Sequence, residues 1–170
     1  NYDTGTAQAA LTYYQNEIED MIQWAPVNGG AWRPQNIAQA KIRGISATAK
    51  VRLGAFDIYA NADWLDPKNE VTGKIAPNRA KKFGTVGFDY SYGKWQAGAE
   101  IASVGMRYND ANNRQELGGY GLLNLRASYK IDQAFSVFAK IDNALNKEYE
   151  LFRDYQTPKA SVFVGVRYQP

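Results

Sequence analysis

The amino-acid sequence predicts an all-β fold, an antiparallel transmembrane β-barrel of eight up-and-down strands. Three observations predict it: side-chain character alternates with period two along eight segments, tight turns alternate with long loops, and charges keep to one face. A strand turns successive side chains to opposite faces, so strict alternation means that one face meets something apolar and the other meets water or charge. In "LLNLRASYKI", Leu123, Leu125, Ala127, Tyr129 and Ile131 form an apolar row opposite Asn124, Arg126, Ser128 and Lys130.

The alternating segments fall at about 6–23, 37–53, 55–65, 80–92, 94–107, 120–131, 134–144 and 159–169. No helical period of any length competes with them. Three connections are tight: "LGA" near 53–55, "YGK" near 92–94 and "IDQA" at 131–134. Those between are long: "APVNGGAWRPQN", "DPKNEVTGKIAPN", "NDANNRQELGG" and "NKEYELFRDYQTPK". Short turns at one end and long loops at the other describe an outer-membrane barrel, with turns in the periplasm and loops outside the cell.

One parity of the strands carries no charge. It comprises Ile45 to Leu53, Phe56 to Trp64, Val86 to Tyr92, Trp95 to Ile101, Leu123 to Ile131, Phe135 to Ile141 and Val162 to Tyr168, each taken at every second position. The other parity holds Lys50, Arg52, Asp57, Asp63, Asp89, Glu100, Arg126, Lys130, Lys140, Asp142 and Arg167, expected to face the lumen. An Arg or Lys facing mid-bilayer lipid costs roughly 2–4 kcal/mol, so this segregation is what a lipid-facing wall requires. The first segment loses its period around Tyr13 to Ile18 and the fifth switches parity between Ile101 and Val104, read as bulges or as strand continuing above the membrane.

Aromatic placement agrees with a membrane. Phe56 and Trp64 stand eight residues apart on the uncharged parity, which at about 3.3 Å per residue and a tilt of about 45° spans roughly 19 Å of a ~25 Å apolar band. Tyr92, Trp95, Tyr129, Phe135 and Tyr168 fall at the turn ends, and with Phe56 and Trp64 they form the expected lipid-facing girdle. Parity alone leaves open a soluble eight-stranded barrel of the lipocalin sort, with the apolar face turned inward around a ligand.

At 170 residues the chain fits one domain, residues 1–170, and its apolar runs fall far short of a transmembrane helix. It has no Cys and no His, which removes disulfides, Cys/His metal sites and every scheme needing an imidazole or thiolate. No catalytic residue, metal ligand or cofactor site is expected, and the chain is read as other than an enzyme. Net charge is only +3 and dispersed, so no nucleic-acid partner is indicated. "DPKNE" and "NDANN" lack calcium-loop spacing, and "GGYG" at 118–121 lacks the Lys-Ser/Thr of a phosphate loop. Arg79, Lys81 and Lys82 of "RAKK" stand at the outer end of a strand, either as a solvated basic end or against lipopolysaccharide phosphates.

The last third of the chain, from "GYGLLNLRASYK" to "SVFVGVRY", resembles the carboxy-terminal strands of TonB-dependent outer-membrane receptors. These carry an Asn-Leu-Phe-Asx-Lys-x-Tyr-like turn before the last strand. "NALNKEY" keeps Asn143, Asn146, Lys147 and Tyr149, with Ala144-Leu145 where Leu-Phe is usual. "LTYYQNEIEDMIQW" and "YQTP" are similar to the cobalamin (vitamin B12) receptors of that family. The resemblance implies a 22-stranded barrel around an amino-terminal plug, of which the sequence would supply the last eight strands, with TonB engaged only through a plug absent here. It implies outer-membrane localisation, insertion by the barrel-assembly machinery, contact with outer-membrane lipids and lipopolysaccharide, and import of cobalamin or a similar large nutrient. Trp24, Trp32, Tyr108, Phe152 and Tyr155 in the long loops are ligand-contact candidates, or ordinary loop packing. The alternative is a stand-alone eight-stranded membrane barrel without transport. For an isolated chain, closure between first and last strands is expected, because unpaired edges are costly in lipid.

Overall fold

The computed structural model describes residues 1–18, 22–26, 32–36, 40–70 and 72–169. Thirteen strands occur among them: β1 (Tyr2–Asp3), β2 (Ala7–Ile18), β3 (Ile22–Pro26), β4 (Trp32–Asn36), β5 (Ala40–Leu53), β6 (Phe56–Asn69), β7 (Lys82–Tyr92), β8 (Trp95–Val104), β9 (Arg107–Tyr108), β10 (Glu116–Leu117), β11 (Tyr120–Lys130), β12 (Phe135–Asp142) and β13 (Ser161–Tyr168). Nine of them form one antiparallel sheet in the order β1-β2-β5-β6-β7-β8-β11-β12-β13, while β3-β4 and β9-β10 form separate two-stranded ribbons. Each expected segment holds one long strand of the sheet.

The expected count of eight is corrected to nine, because the short β1 pairs with β2 through Tyr2 and Asp3. Closure is also corrected: no ladder joins β13 to β1 or β2 among the described residues, and the sheet is open. On the charged face Arg126, Asp89, Tyr59 and Glu100 satisfy one another along the wall, so these groups need no closed lumen to pair across.

Tight turns share one end of the sheet. Leu53 pairs with Phe56 and Tyr92 with Trp95, so Gly54-Ala55 and Gly93-Lys94 are two-residue hairpin loops. Each loop opens on a glycine in the left-handed region, φ 59° and 57°, the residue such a turn demands at its first position. Between β11 and β12 the turn is held by Asp132, whose Oδ1 accepts from the N–H groups of Ala134 and Phe135, both at 2.8 Å. Those two bonds hold its carboxyl below the usual range.

Of the two readings of the lost period, bulge or continuing strand, the described residues show continuing strand. β2 pairs with β5 in unbroken register from Ala7 opposite Val51 to Ile18 opposite Ala40. β8 keeps its register against β11 to Val104 opposite Tyr120, and β9-β10 resumes the same register at Arg107 opposite Leu117. The apparent loss of period reflects a change in what the two faces carry. On the charged parity, Phe83, Val104 and Tyr120 form an apolar row toward the loop end.

Burial is inverted relative to a soluble domain. Among the described residues the buried apolar side chains are few, Ala76, Ala80 and Leu117 with Pro67, and they lie at the loop end. The uncharged rows are exposed or half-buried and none of their side chains is buried, with Leu11 at 71%, Val164 at 78% and Val166 at 66%.

Candidate functional site

Register places all eleven charged candidates on one face. One row runs Arg52, Asp57, Asp89, Gly98, Arg126, Lys140 across β5 to β12, and the next runs Lys50, Tyr59, Gly87, Glu100, Asn124 across β5 to β11. Asp63 stands opposite Ser46, Asp142 opposite Ser161, and Lys130 and Arg167 both opposite Ser136. The seven aromatic candidates share the other face. Trp95 and Tyr129 rings meet at 4.6 Å, Phe135 and Tyr168 at 4.8 Å, and Phe56 meets Tyr90 at 4.6 Å, all at the turn end. Tyr92 pairs with Trp95 there, and Trp64 stands near the loop end of β6 opposite Ile45.

A polar network crosses four strands of the charged face. Arg126 forks onto Asp89, Nε to Oδ1 and Nη2 to Oδ2, both at 2.8 Å. Its Nη2 also donates to the Tyr59 hydroxyl at 2.8 Å, and that hydroxyl donates to Glu100 Oε2 at 2.9 Å. Two glycines make this possible. A Cβ at Gly98 would lie 2.5 Å from Asp89 Oδ1 and 2.9 Å from Arg126 Nε, and one at Gly87 would lie 2.6 Å from the Tyr59 oxygen. Bare backbone at the crossing points lets long side chains lie flat. Tyr14 covers Gly44 and Phe138 covers Gly165 in the same way. Elsewhere on this face Arg52 pairs with Asp57 and Lys140 with Asp142, each at 2.8 Å, and Ser46 Oγ donates to Asp63.

Three long connections interlock at the other end. Asn113 accepts from the Ile75 N–H at 2.8 Å through Oδ1 and donates to the Ile75 carbonyl at 2.9 Å through Nδ2. The Asn78 N–H donates to the Tyr108 carbonyl at 2.7 Å. These bonds tie 70–81 to 105–119. Within the second loop, Asp110 accepts from the N–H groups of Gln115, Arg114 and Asn112. Desolvation pushes the Asp110 carboxyl up, but the backbone bonds outweigh it and hold it below the usual range.

Arg107 ties the second connection to the third. Buried to 5% exposure, it donates through Nη2 to the carbonyls of Glu150 and Leu151, and its guanidinium lies 5.5 Å from the Tyr120 ring centre. Tyr120 in turn meets Tyr149 at 4.4 Å. The "NALNKEY" turn has its own logic. Asn143, 3% exposed and at φ 53°, accepts from the Lys147 N–H and donates to the Lys147 carbonyl, both at 2.8 Å. Asn146 Oδ1 accepts from the Ala160 N–H at 3.0 Å, which brings the loop back to β13.

Of the ligand-contact candidates, Phe152 and Tyr155 form an exposed pair, 51% and 72%, with rings 6.5 Å apart near edge-on. Tyr108 is half-buried on β9, and the Arg153 N–H donates to Asn109 Oδ1 at 3.2 Å, joining 152–155 to that ribbon. Trp24 and Trp32 are placed by backbone alone, on β3 and β4, opposite Pro34 and Pro26. Sequence reasoning missed Tyr59, Gly87, Gly98, Arg107 and Asn113. A strand glycine on the charged parity, one strand from a Tyr or Arg, was the available signal for the first three.

Comparison with known proteins supplies the lineage. Residues 1–144 match the family described as "TonB dependent receptor-like, beta-barrel". The chain is 35% identical over 144 residues to the "Vitamin B12 transporter BtuB" of Vibrio vulnificus, covering 84% of this chain and 23% of that protein. It is 31% identical over 179 residues to the protein of the same name from Photobacterium profundum, covering 99% of this chain and 30% of that protein. The chain therefore spans less than a third of the length of these relatives. The solved structure titled "Copper transporter OprC" superposes with TM-score 0.82 at 20% identity, over 98% of this chain and 29% of that one, a likeness of fold. Proteins of this lineage are outer-membrane transport receptors of Gram-negative bacteria and not enzymes. The chain belongs to the TonB-dependent receptor β-barrel family.

Proposed function

We propose that this chain is wall and outer-loop structure of a receptor importing cobalamin or a similarly large nutrient, with the uncharged face against lipid and the charged face toward the lumen. The observation that carries this reading is the segregation of charge across the sheet: all eleven charged candidates lie on one face, and the other presents large exposed apolar side chains such as Leu11, Val164 and Val166. The face without those charges suits hydrocarbon.

The open edges at β1 and β13 favour a wall segment of a wide barrel over a narrow stand-alone one, since each edge in lipid requires a partner strand. TonB contact is made through a plug and insertion by the barrel-assembly machinery, as the family implies. The solute meets the interlocked loops, with Phe152 and Tyr155 as the exposed aromatic contacts and Tyr108 on the adjoining ribbon; Trp24 and Trp32 are further candidates.

The test is cyanocobalamin binding by the intact polypeptide in detergent, followed by tryptophan quenching. Micromolar or tighter binding, weakened about tenfold by combined Phe152→Ala and Tyr155→Ala, is expected; each lost aromatic contact is worth about 0.5–1.5 kcal/mol. Absence of binding, or binding indifferent to both substitutions, contradicts the ligand assignment.

A further inference from the structure

A pocket of about 220 Å³ opens on the charged face at the tight-turn end, between the β7–β8 turn and the last residues of β13. Its cations stand in one row. Lys130 and Arg167 both pair in register with Ser136, and the Lys130 N–H donates to the Lys94 carbonyl at 2.8 Å, which carries the row on to the turn beside β8. All three cations are exposed. On the same face Arg52, Arg126 and Lys140 each hold a carboxylate at 2.8 Å. Among the described residues Lys94, Lys130 and Arg167 have none within ion-pair distance.

Two of the three heads are held in place. Lys94 Nζ donates to the Ile131 carbonyl at 2.7 Å, and the Arg167 guanidinium lies 5.8 Å from the Phe138 ring centre. Both keep donors to spare, since an ammonium carries three N–H groups and a guanidinium five. The carboxylate that lines the pocket, Asp132, spends its Oδ1 on the N–H groups of Ala134 and Phe135. Like charges opposite one another on a sheet repel, so the row is unfavourable until an anion joins it.

We infer that this row docks an extended acidic segment of a partner chain, arriving from the side of the tight turns. Three strand steps from Lys94 to Arg167 cover about 14 Å at ~4.8 Å each, and in an extended chain residues i, i+2 and i+4 face one way over about 13 Å. Carboxylates at alternate positions therefore meet Lys94, Lys130 and Arg167 in turn, with the Ser136 hydroxyl and the Gln96 amide as neutral partners between them. A row of that length exceeds what a small anion spans. Lys94 and Asp132 belong to the turns themselves, so the row is reached from the water beyond them, which in the outer-membrane reading is the periplasm. The docking chemistry is independent of which solute the receptor imports.

The test uses the intact polypeptide in detergent at low salt and a fluorescein-labelled peptide alternating Glu and Thr, followed by fluorescence anisotropy. The Glu peptide is expected to bind at least tenfold more tightly than the same peptide with Gln at each Glu, and the triple variant Lys94→Gln, Lys130→Gln, Arg167→Gln is expected to lose that preference. A control removing the same charge elsewhere, Lys50→Gln, Lys74→Gln, Lys159→Gln, is expected to keep it. Equal binding of the two peptides, an unaffected first variant, or equal weakening by both variants overturns the inference, as does citrate competing as well as the peptide. The first variant touches none of the loop aromatics, so its cobalamin affinity is expected to be unchanged and the import reading fails or stands separately.

Discussion

Arg126→Ala is the most informative single change in the wall. It removes two charge-assisted bonds to Asp89 and one bond to the Tyr59 hydroxyl, and leaves Asp89 without its guanidinium and Glu100 bonded to Tyr59 alone. Fully buried, bonds to a charged group contribute about 1.5–3 kcal/mol each. Here the Arg126 and Asp89 side chains keep 39% and 43% exposure, so screening reduces the fork to about 1 kcal/mol. The tyrosine bond adds about 0.5–1 kcal/mol, giving a loss of about 1.5–2 kcal/mol for the substitution. Urea unfolding of the intact polypeptide in lipid vesicles measures it. A double-mutant cycle with Asp89→Ala isolates the fork, and a coupling near 1 kcal/mol is expected. A coupling under about 0.3 kcal/mol, the level at which independent sites simply add, refutes the network as a stabilising unit.

Further outcomes follow from the same geometry. Gly87→Ala places a Cβ 2.6 Å from the Tyr59 oxygen and 2.8 Å from the Ala99 carbonyl, so it is expected to cost about 1–3 kcal/mol by overpacking. Gly165→Ala meets chiefly the Phe138 ring, which swings aside, and is expected to cost less; the two are compared by the same urea titration. Asn143→Ala strips both bonds to Lys147 from a buried side chain and leaves an alanine at φ 53°, for an expected loss of about 2 kcal/mol, with faster proteolysis within 143–160 as its readout. Asp110 has a folded carboxyl below its unfolded value, so its contribution is present above the unfolded value and fades as pH falls through the folded one. Protection of the Arg114 and Gln115 amides, measured against the unstructured rate at each pH, is therefore expected to hold at pH 6 and to fall only in acid below the ordinary carboxylate range. Protection that falls already between pH 7 and 6 contradicts that origin.

The strands were legible because side-chain character alternates at every second residue, and β11 displays it without interruption. The shared height of the turn-end aromatics was legible for a related reason: rings such as Trp95 and Tyr129 stand opposite each other by register alone. What resisted reading was everything that depends on side chains crossing strands. Tyr59 looks like any strand tyrosine until Gly87 and Gly98 let it reach Glu100 and Arg126. Arg107 looks like a solvated loop cation, and only the folding of 143–160 over β9 buries it. Closure failed as an expectation for a comparable reason. Strand number says how a sheet could close, while closure also needs tilt and stagger that bring the first and last strands into register.

The assignment of hydrocarbon to the uncharged face is tested most directly by nitroxide labels placed singly at positions 122 to 129 of β11, in the intact polypeptide reconstituted in lipid vesicles. Collision rates with oxygen, which concentrates in the bilayer, are expected to peak at 123, 125, 127 and 129, and those with a polar nickel chelate at the positions between. The reverse alternation, or polar-chelate access to 123 and 125 as high as to 124 and 126, contradicts it.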